Sequence, residues 1–191
     1  PRTLHRRIHA LPPGTWTRIR PGGIEAPTAF WRLEDAFGHD TPHSEQEAGE
    51  AARAALEDTA RAHLVADVPV GAFLSGGVDS SALVGLLSAE QARLRTVTLS
   101  FDVPDLDEGG LAREAAALYA TDHRDIPIRV DEVRERMPDA IRALDQPSVD
   151  GVNTYFVSEA AVHAGLKVAV SGVGGDEIFG GYSTFERVPR I

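Results

Sequence analysis

The sequence predicts an α/β fold, an open and mainly parallel sheet with helices on both faces. From residue 44 onward, short apolar runs typical of strands alternate with longer segments of helical apolar spacing. Two of the apolar runs end in glycine-rich loops that carry acidic residues. This alternation favours a parallel sheet, because each parallel connection needs a crossover long enough to hold a helix.

The first forty residues differ from the rest of the chain. They are rich in proline and glycine, with short β-prone pieces at 16–20 and 29–33. Such short strands are marginally stable without a partner sheet. We therefore expect residues 1–40 to be the end of a domain whose beginning is absent, and residues 41–191 to form the α/β part.

The alternating elements begin at Ser44, the first residue of the capping-box sequence "SEQE". Apolar residues then recur every fourth position, which predicts a helix through Leu64. Proline interrupts helices because it lacks an amide hydrogen, so we expect a break near Pro138. The predicted order after the first helix is strand 68–74, helix 81–92, strand 96–101, helix 111–118, strand 123–130, interrupted helix 133–144, helix 154–165 and strand 166–171.

Composition excludes several classes of function. The formal net charge of -10 argues against a nucleic-acid partner, because phosphate binding needs an excess of Lys and Arg. The chain has no cysteine, which excludes disulfides, thiolate metal ligands and a cysteine nucleophile within it. No apolar run is long enough to span a membrane, so we expect no membrane partner and a cytoplasmic location. The one lysine, Lys167, lies in a predicted strand.

The loop of residues 75–81, "SGGVDSS", predicts a phosphate-binding site. Glycines let the backbone approach a ligand closely, and the amides at the start of the next helix attract anions. The loop lacks the lysine of the G-x-x-x-x-G-K-[ST] nucleotide loop. Asp79 would repel phosphates unless a divalent cation lay between them, and Mg²⁺ prefers such a combination of carboxylate and phosphate oxygens.

A second glycine-rich loop, "SGVGGDEIFGGY" at residues 171–182, also follows an apolar run and carries Asp176 and Glu177. In a parallel sheet the carboxyl ends of the strands share one edge, where ligands bind. Asp79 and Asp176 are therefore candidate ligands of one metal ion. Each loop taken alone is also explained as a simple turn. The segment "LDQPSVDGVNTYF", residues 144–156, is either a substrate loop or a helix cap.

Three stretches together resemble the synthetase domain of glutamine-hydrolysing asparagine synthetases and their close relatives. They are "DVPVGAFLSGGVDSSAL", "LDQPSVDGVNTYFVSEAA" and "GLKVAVSGVGGDEIFGGY". The loop "SGGVDSS" is similar to the signature loop of the ATP pyrophosphatases, also called PP-loop ATPases, whose fold is adenine nucleotide alpha hydrolase-like. "LPPGTW" and "FW" near the N-terminus resemble the end of the preceding glutaminase domain.

The resemblance implies ATP and Mg²⁺ as cofactors and aspartate as the acyl substrate. Attack of the β-carboxylate on the α-phosphorus gives β-aspartyl-AMP and pyrophosphate, and ammonia made from glutamine then gives asparagine. The implied catalytic residues are Asp79, Ser75 and Asp176, and the implied Mg²⁺ ligands are Asp79 and Asp176. By motif position, pyrophosphate contacts are expected from Ser75, Gly76, Gly77, Asp79 and Ser80. Contacts to the nucleoside are expected from Leu74, Val103, Ser171 and Gly172.

Departures from the family pattern leave alternatives open. Typical members carry Glu where this chain has Val173, so a related synthetase acting on another carboxylate, of the β-lactam or macrolactam type, is an alternative. A non-catalytic ATP-binding fragment is another. The glutaminase cysteine and a later lysine of the family are absent, so we expect a chain truncated at both ends and inactive alone. The resemblance leaves a homodimer of the intact protein open.

Overall fold

A computed structural model describes residues 3–36, 44–103 and 108–187 of the protein. The chain divides into two compact units, Pro1–Glu50 and Ala51–Ile191. Helix α2 (Glu45–His63) crosses this division, and the Ser44 hydroxyl accepts a hydrogen bond of 3.2 Å from the Glu47 amide at its start. The predicted cap of the first long helix is therefore confirmed.

The described residues 3–36 of the first unit form four strands of two residues each and one short helix. Pairing is antiparallel, between β1 (Thr15–Trp16) and β4 (Thr28–Ala29) and between β2 (Ile19–Arg20) and β3 (Gly23–Ile24). The predicted strand at 29–33 is wrong at its end, because Leu33 begins helix α1 (Leu33–Ala36). No residue described between 3 and 36 is buried, so these strands lack a core of their own.

The second unit is built on a four-stranded sheet in the order β7-β6-β5-β8, and every pairing is parallel. Its strands are β5 (Val70–Phe73), β6 (Arg95–Phe101), β7 (Asp122–Ile128) and β8 (Val168–Val170). Its further helices are α3 (Val78–Glu90), α4 (Gly109–Leu118), α5 (Val130–Ala143), α6 (Gly151–His163), α7 (Gly175–Phe179) and α8 (Ser183–Arg187). Among the described residues, no helix combines the length and apolarity needed to cross a membrane.

Successive residues at the end of strand β5 and just after it pack into different clusters, which shows that both faces of the sheet are covered. Ala72 and Leu74 belong to a core formed with α2, α3 and α4. Phe73, between them, packs on the other side against a cluster that includes Ala160 of α6. Side chains of a strand alternate between the two faces of a sheet, so helices lie on both faces as predicted.

Helix α5 is continuous through Pro138, so the predicted interruption is wrong. Val133, before the proline, and Ala140, after it, both pack into one cluster with Phe156 of α6. A proline inside a helix removes a hydrogen bond and costs about 3 kcal/mol. Burial of the same helix face on both sides of Pro138 offsets this cost, which the sequence pattern alone does not reveal.

A polar layer lies on the face of strand β6 opposite Val97 and Leu99. Thr96, Thr98 and Ser100 are buried there, where α4 packs against β6 and β7. The Thr96 hydroxyl lies 2.8 Å from that of Thr121 and 3.0 Å from His123 Nδ1. Within the described part of the chain, His123 Nε2 is buried without a hydrogen-bond partner.

This environment makes His123 a source of pH-dependent stability. Burial lowers the pKa of His123 below the usual histidine value; the Asp125 carboxylate opposes this shift, and the Arg113 guanidinium adds to it. Below about pH 6.5 the unfolded chain binds the proton more readily than the folded protein. The free energy of unfolding therefore falls as the pH decreases from about 6.5 toward the lower pKa of the folded state.

We expect His123→Gln to weaken this loss of stability, because glutamine does not titrate and can still hydrogen-bond Thr96. The measurement is the urea midpoint of wild type and variant at about pH 7.5 and 5.5. The wild-type midpoint should drop further than that of the variant. Equal drops in the two proteins would show that His123 does not contribute.

Candidate functional site

The first glycine-rich loop connects strand β5 to helix α3 at the carboxyl edge of the sheet. The Leu74 amide donates a 3.0 Å hydrogen bond to the Val97 carbonyl of the neighbouring strand, which continues the sheet to the loop. Helix α3 begins at Val78, earlier than the predicted residue 81. Asp79 and Ser80 therefore lie in its first turn, and no side chain caps this end of the helix. Its first amides are consequently available to an anion.

Hydrogen bonds within the loop fix its shape. The Ser80 hydroxyl donates to the Gly77 carbonyl at 3.2 Å and accepts from the Ser75 amide at 3.2 Å. The two serine hydroxyls lie 3.0 Å apart. Ser80 is buried, so its hydroxyl braces the loop and orders the amides around it.

The backbone of Gly76, the first of the two glycines in this loop, requires glycine at that position. Its φ of +79° lies in the left-handed region. A Cβ at this position would lie 2.6 Å from Leu111 Cβ and 2.9 Å from the Ala112 amide nitrogen, at the start of α4. A side chain here would therefore collide with the backbone of the neighbouring helix.

The second glycine-rich loop connects strand β8 to the short helix α7. Its turn is closed by a 3.2 Å hydrogen bond from the Gly175 amide to the Gly172 carbonyl, and Gly174 takes a φ of +100°. The Ser171 hydroxyl accepts a 3.2 Å hydrogen bond from the Val173 amide. Asp176 follows in the first turn of α7.

The two loops are in direct contact. A Cβ on Gly172 would lie 3.2 Å from the Ser80 amide nitrogen. A Cβ on Gly175 would lie 2.4 Å from Asp79 Oδ2, so the Asp79 carboxylate rests against the bare backbone of the second loop. Parallel pairing of β5 with β8 explains this contact, because it brings the carboxyl ends of both strands to one edge.

A hollow of about 700 Å³ opens between the loops and helix α6. Asp79 and Asp176 both line it, one from each loop. The opposite wall is formed by residues of α6 and the residue just before it, which recur with helical spacing. They are Asp150, Asn153, Thr154, Val157 and Ser158.

A smaller hollow of about 290 Å³ adjoins the first and is mainly apolar. Phe73, Ser75, Asn153 and Val157 line both, so the two hollows share a boundary. The walls of the smaller one come from the carboxyl ends of β5 and β6. These walls include Leu74, Val97, Leu99 and Phe101.

The structure brings most of the predicted site residues together. The predicted residues that line the hollows are Leu74, Ser75, Gly77, Asp79, Ser80, Ser171, Gly172 and Asp176. Gly76 and Val103 are outside both described linings: Gly76 turns the loop against α4, and Val103 lies two residues beyond Phe101. Contacts of any of these residues with a nucleotide stay a prediction.

Sequence reasoning assigned no definite role in the site to the residues that the start of α6 and the start of α4 contribute. Asp150, Asn153 and Thr154 line the larger hollow, and Glu108 lines the smaller one. The polar segment before α6 was a usable signal, since a substrate loop was one of its two interpretations. Glu108 follows Asp107, which lies outside the described residues, and its position next to β6 is visible only in the folded chain.

Negative charge is concentrated around the second loop. The Tyr182 hydroxyl donates a 2.9 Å hydrogen bond to Glu177 Oε1. This hydrogen bond raises the pKa of Tyr182, as do burial and the negative charges of Glu177, Asp176 and Asp79. The part of the chain that the structure describes contains no cluster of three His, Cys, Asp or Glu residues placed to hold a metal by themselves. Two carboxylates nevertheless suffice for Mg²⁺ when phosphate and water supply the other ligands.

The fold and the hollow define an α/β protein whose candidate site lies at the carboxyl edge of a parallel sheet, between glycine-rich loops. Comparison with known families agrees with the motifs in this site. Residues 51–191 match the family model for asparagine synthase. The chain belongs to the asparagine synthase family.

Relatives from bacteria and fungi match nearly all of this chain. It is 36% identical over 97% of its length to a putative glutamine-hydrolysing asparagine synthetase of Mycobacterium tuberculosis. It is 32% identical over 99% to asparagine synthetase 1 of Bacillus subtilis, and 30% identical over 96% to the amidase chyE of Penicillium rubens. The chain spans 29%, 31% and 30% of the length of these relatives, respectively.

Proposed function

We propose that this chain forms the ATP-binding part of a longer ligase that makes an amide by activating a carboxylate with ATP. The observation that supports this most directly is the position of Asp79 and Asp176. They come from different loops, line one hollow and adjoin the uncapped start of α3. This combination suits a magnesium-bound polyphosphate, which needs both anion-binding amides and carboxylates.

The two adjoining hollows suit the two parts of ATP. The smaller, mainly apolar hollow suits the adenine ring, and Thr98, Asn153 and Glu108 supply polar groups for its edges. The larger hollow suits the phosphates, because it contains the glycine-rich loops and the start of α3. Ser75 lines both hollows, so we place the α-phosphate near it.

Magnesium fits the carboxylates present in the larger hollow. Asp79 and Asp176 offer hard oxygen ligands, and the bare backbone at Gly175 leaves room for the Asp79 carboxylate to lie against the second loop. The ion, when bound, would neutralise charge on the phosphates and on departing pyrophosphate. The chain's own part is to hold the phosphates with the amides of α3 and to keep both carboxylates at the edge of the sheet.

The proposed reaction converts aspartate to asparagine in two displacements. An oxygen of the β-carboxylate attacks the α-phosphorus, and the bond from that phosphorus to the bridging oxygen breaks, which releases pyrophosphate and leaves β-aspartyl-AMP. Ammonia then attacks the acyl carbon, AMP leaves with the bonding electrons, and a proton lost from nitrogen completes the amide. Neither displacement needs a nucleophilic side chain, in agreement with a site made of backbone amides and carboxylates.

A related synthetase acting on a different carboxylate is the second candidate function. Val173 favours it, because this exposed residue lines the larger hollow at the position where typical family members carry glutamate. The similarity of this chain to a relative named as an amidase, at 30% identity, also supports this candidate. The two candidates share ATP activation and differ in the acyl group.

Other parts of the proposal concern the intact protein. Residues 1–40 would end a glutaminase domain that supplies ammonia from glutamine. A cytoplasmic location, and a homodimer as one form of the intact protein, also stay predictions. This chain contains no cysteine, the nucleophile expected for glutamine hydrolysis, so ammonia is the appropriate nitrogen source for a first test.

The test is pyrophosphate release by the full-length protein supplied with ATP, Mg²⁺, ammonia and a panel of carboxylic acids. Binding of Mg²⁺ and a non-hydrolysable ATP analogue is titrated separately. Aspartate-dependent release, with AMP and asparagine formed in equal amounts, supports the first candidate. Release with another acid but not with aspartate supports the second. Nucleotide binding without release under all conditions would leave only an ATP-binding module and would contradict the proposed ligase.

A further inference from the structure

We infer that Asp150 binds the ammonium group of the acyl substrate, so that the site selects carboxylic acids that also carry an amine. This inference rests on the proposed function, and it adds a specificity-determining residue to it. Asp150 precedes helix α6 and lines the larger hollow with Asp79 and Asp176.

The Asp150 carboxylate has no role in capping its helix. Aspartate at this position usually accepts a hydrogen bond from an amide of the first turn, but no such side-chain bond is present at the start of α6. The backbone carbonyl of Asp150 instead accepts from the amide and the hydroxyl of Thr154, at 3.0 and 3.1 Å. The interpretation of the segment as a helix cap is therefore not supported for this side chain.

The hydrogen bonds around Asp150 leave its carboxylate able to accept more. Asn153 Nδ2 donates to Asp150 Oδ1 at 3.4 Å. This long contact orients the carboxylate and leaves its other oxygen positions able to accept hydrogen bonds. Asp150 is exposed to solvent within the hollow. An ammonium group has three donors and matches the remaining oxygen positions of such a carboxylate.

Position separates Asp150 from the two carboxylates proposed to hold the metal. Asp79 and Asp176 belong to the loops after β5 and β8, whereas Asp150 belongs to the opposite wall on α6. Asn153 and Val157, on the same face of α6, also line the adenine-sized hollow. The acyl substrate therefore has a place between the loops and the start of α6, with its carboxylate toward the phosphates and its amine toward Asp150.

The charges of the larger hollow favour the same class of substrate. Its described lining contains three aspartates and no Lys, Arg or His. Val173 adds an apolar surface to the wall formed by the second loop. An acid whose amine meets Asp150 is attracted to this hollow, while an acid lacking the amine brings only negative charge into it.

The experiment compares Asp150→Asn with wild type in the full-length protein, using aspartate and succinate, which lacks the amine. The ratio of kcat/KM for aspartate to kcat/KM for succinate should be lower in Asp150→Asn on the order of tenfold, because a charge-assisted hydrogen bond is lost. The KM for ATP should stay within about twofold of wild type, because Asp150 is outside the phosphate-binding loops. The matched control is Asp145→Asn, since Asp145 is exposed and outside the described lining of both hollows.

Each result bears on a distinct claim. An unchanged aspartate preference in Asp150→Asn, with ATP turnover retained, overturns the assignment and leaves the proposed ligase intact. An equal loss of preference in Asp145→Asn overturns it as well. If aspartate is not a substrate, the same comparison is made with the best acid of the panel and its des-amino analogue. If none of the acids supports pyrophosphate release by the wild type, the proposed function and this assignment are both overturned.

Discussion

Replacing Asp79 by asparagine is expected to lower pyrophosphate release about 10²- to 10³-fold, the range seen when one transition-state contact is removed. Asp79 lines the larger hollow beside the start of α3 and against the second loop. Asparagine keeps the size of the side chain and removes its charge. The expected loss of pyrophosphate release therefore measures the effect of the Asp79 charge on the proposed metal and the phosphates, since the shape of the side chain changes little.

The fold should tolerate the Asp79 substitution. The hydrogen bonds that hold the loop run through Ser75, Gly77 and Ser80, and the Asp79 carboxylate takes no part in them. The thermal midpoint should stay within about 2 °C of wild type, as expected for a change of a few tenths of a kcal/mol. Asp67→Asn is the matched control, because Asp67 is exposed and outside both hollows. Full activity of Asp79→Asn would refute the proposed metal site.

Replacing Gly175 by alanine is expected to reduce pyrophosphate release about hundredfold, since an error of about 1 Å in a reacting site has an effect of this size. The new Cβ would lie 2.4 Å from Asp79 Oδ2 and 2.5 Å from Asp79 Cγ. The contact is with a side chain and not with backbone, so the carboxylate rather than the fold should move. Activity is compared with the thermal midpoint of the same variant.

Gly110→Ala provides the control for the Gly175 substitution. Gly110 is also a glycine in the first turn of a helix, α4, but no atom lies within 4 Å of the place where its Cβ would be. Alanine there should raise stability by about 0.5 to 1 kcal/mol and leave activity unchanged. If Gly175→Ala retains the activity of Gly110→Ala, the Asp79 carboxylate does not need the bare backbone beside it.

Much of the second unit is predictable from sequence because its strands are short apolar runs between amphipathic helices. The parallel sheet and both glycine-rich loops at its carboxyl edge are confirmed. The interruption expected at Pro138 is wrong, since packing of Val133 and Ala140 outweighs a local propensity. The strand predicted at 29–33 is wrong at Leu33, where helix α1 begins. Short β-prone pieces predict strands poorly when no partner sheet stabilises them.

The wall opposite the loops is the part of the site that sequence indicated only as one of two interpretations of residues 144–156. Asp150 and Asn153 precede β8 by many residues and face the loops only because α6 packs across β6. The spacing of a helix shows that these residues share one face. It does not show which surface that face meets, because the partner is determined by the order of strands in the sheet.

The amino-acid sequence by itself determined the class of fold, the two loops and their acidic residues, because strand and helix periodicity and glycine-rich turns are local properties. Tertiary structure alone decided that Asp79 rests against Gly175, that both loops and α6 line one hollow, and that Asp150 lies across from the two carboxylates proposed to bind the metal. These arrangements depend on the order β7-β6-β5-β8, in which strands distant in sequence become neighbours. Such pairing is a long-range property that no single segment encodes.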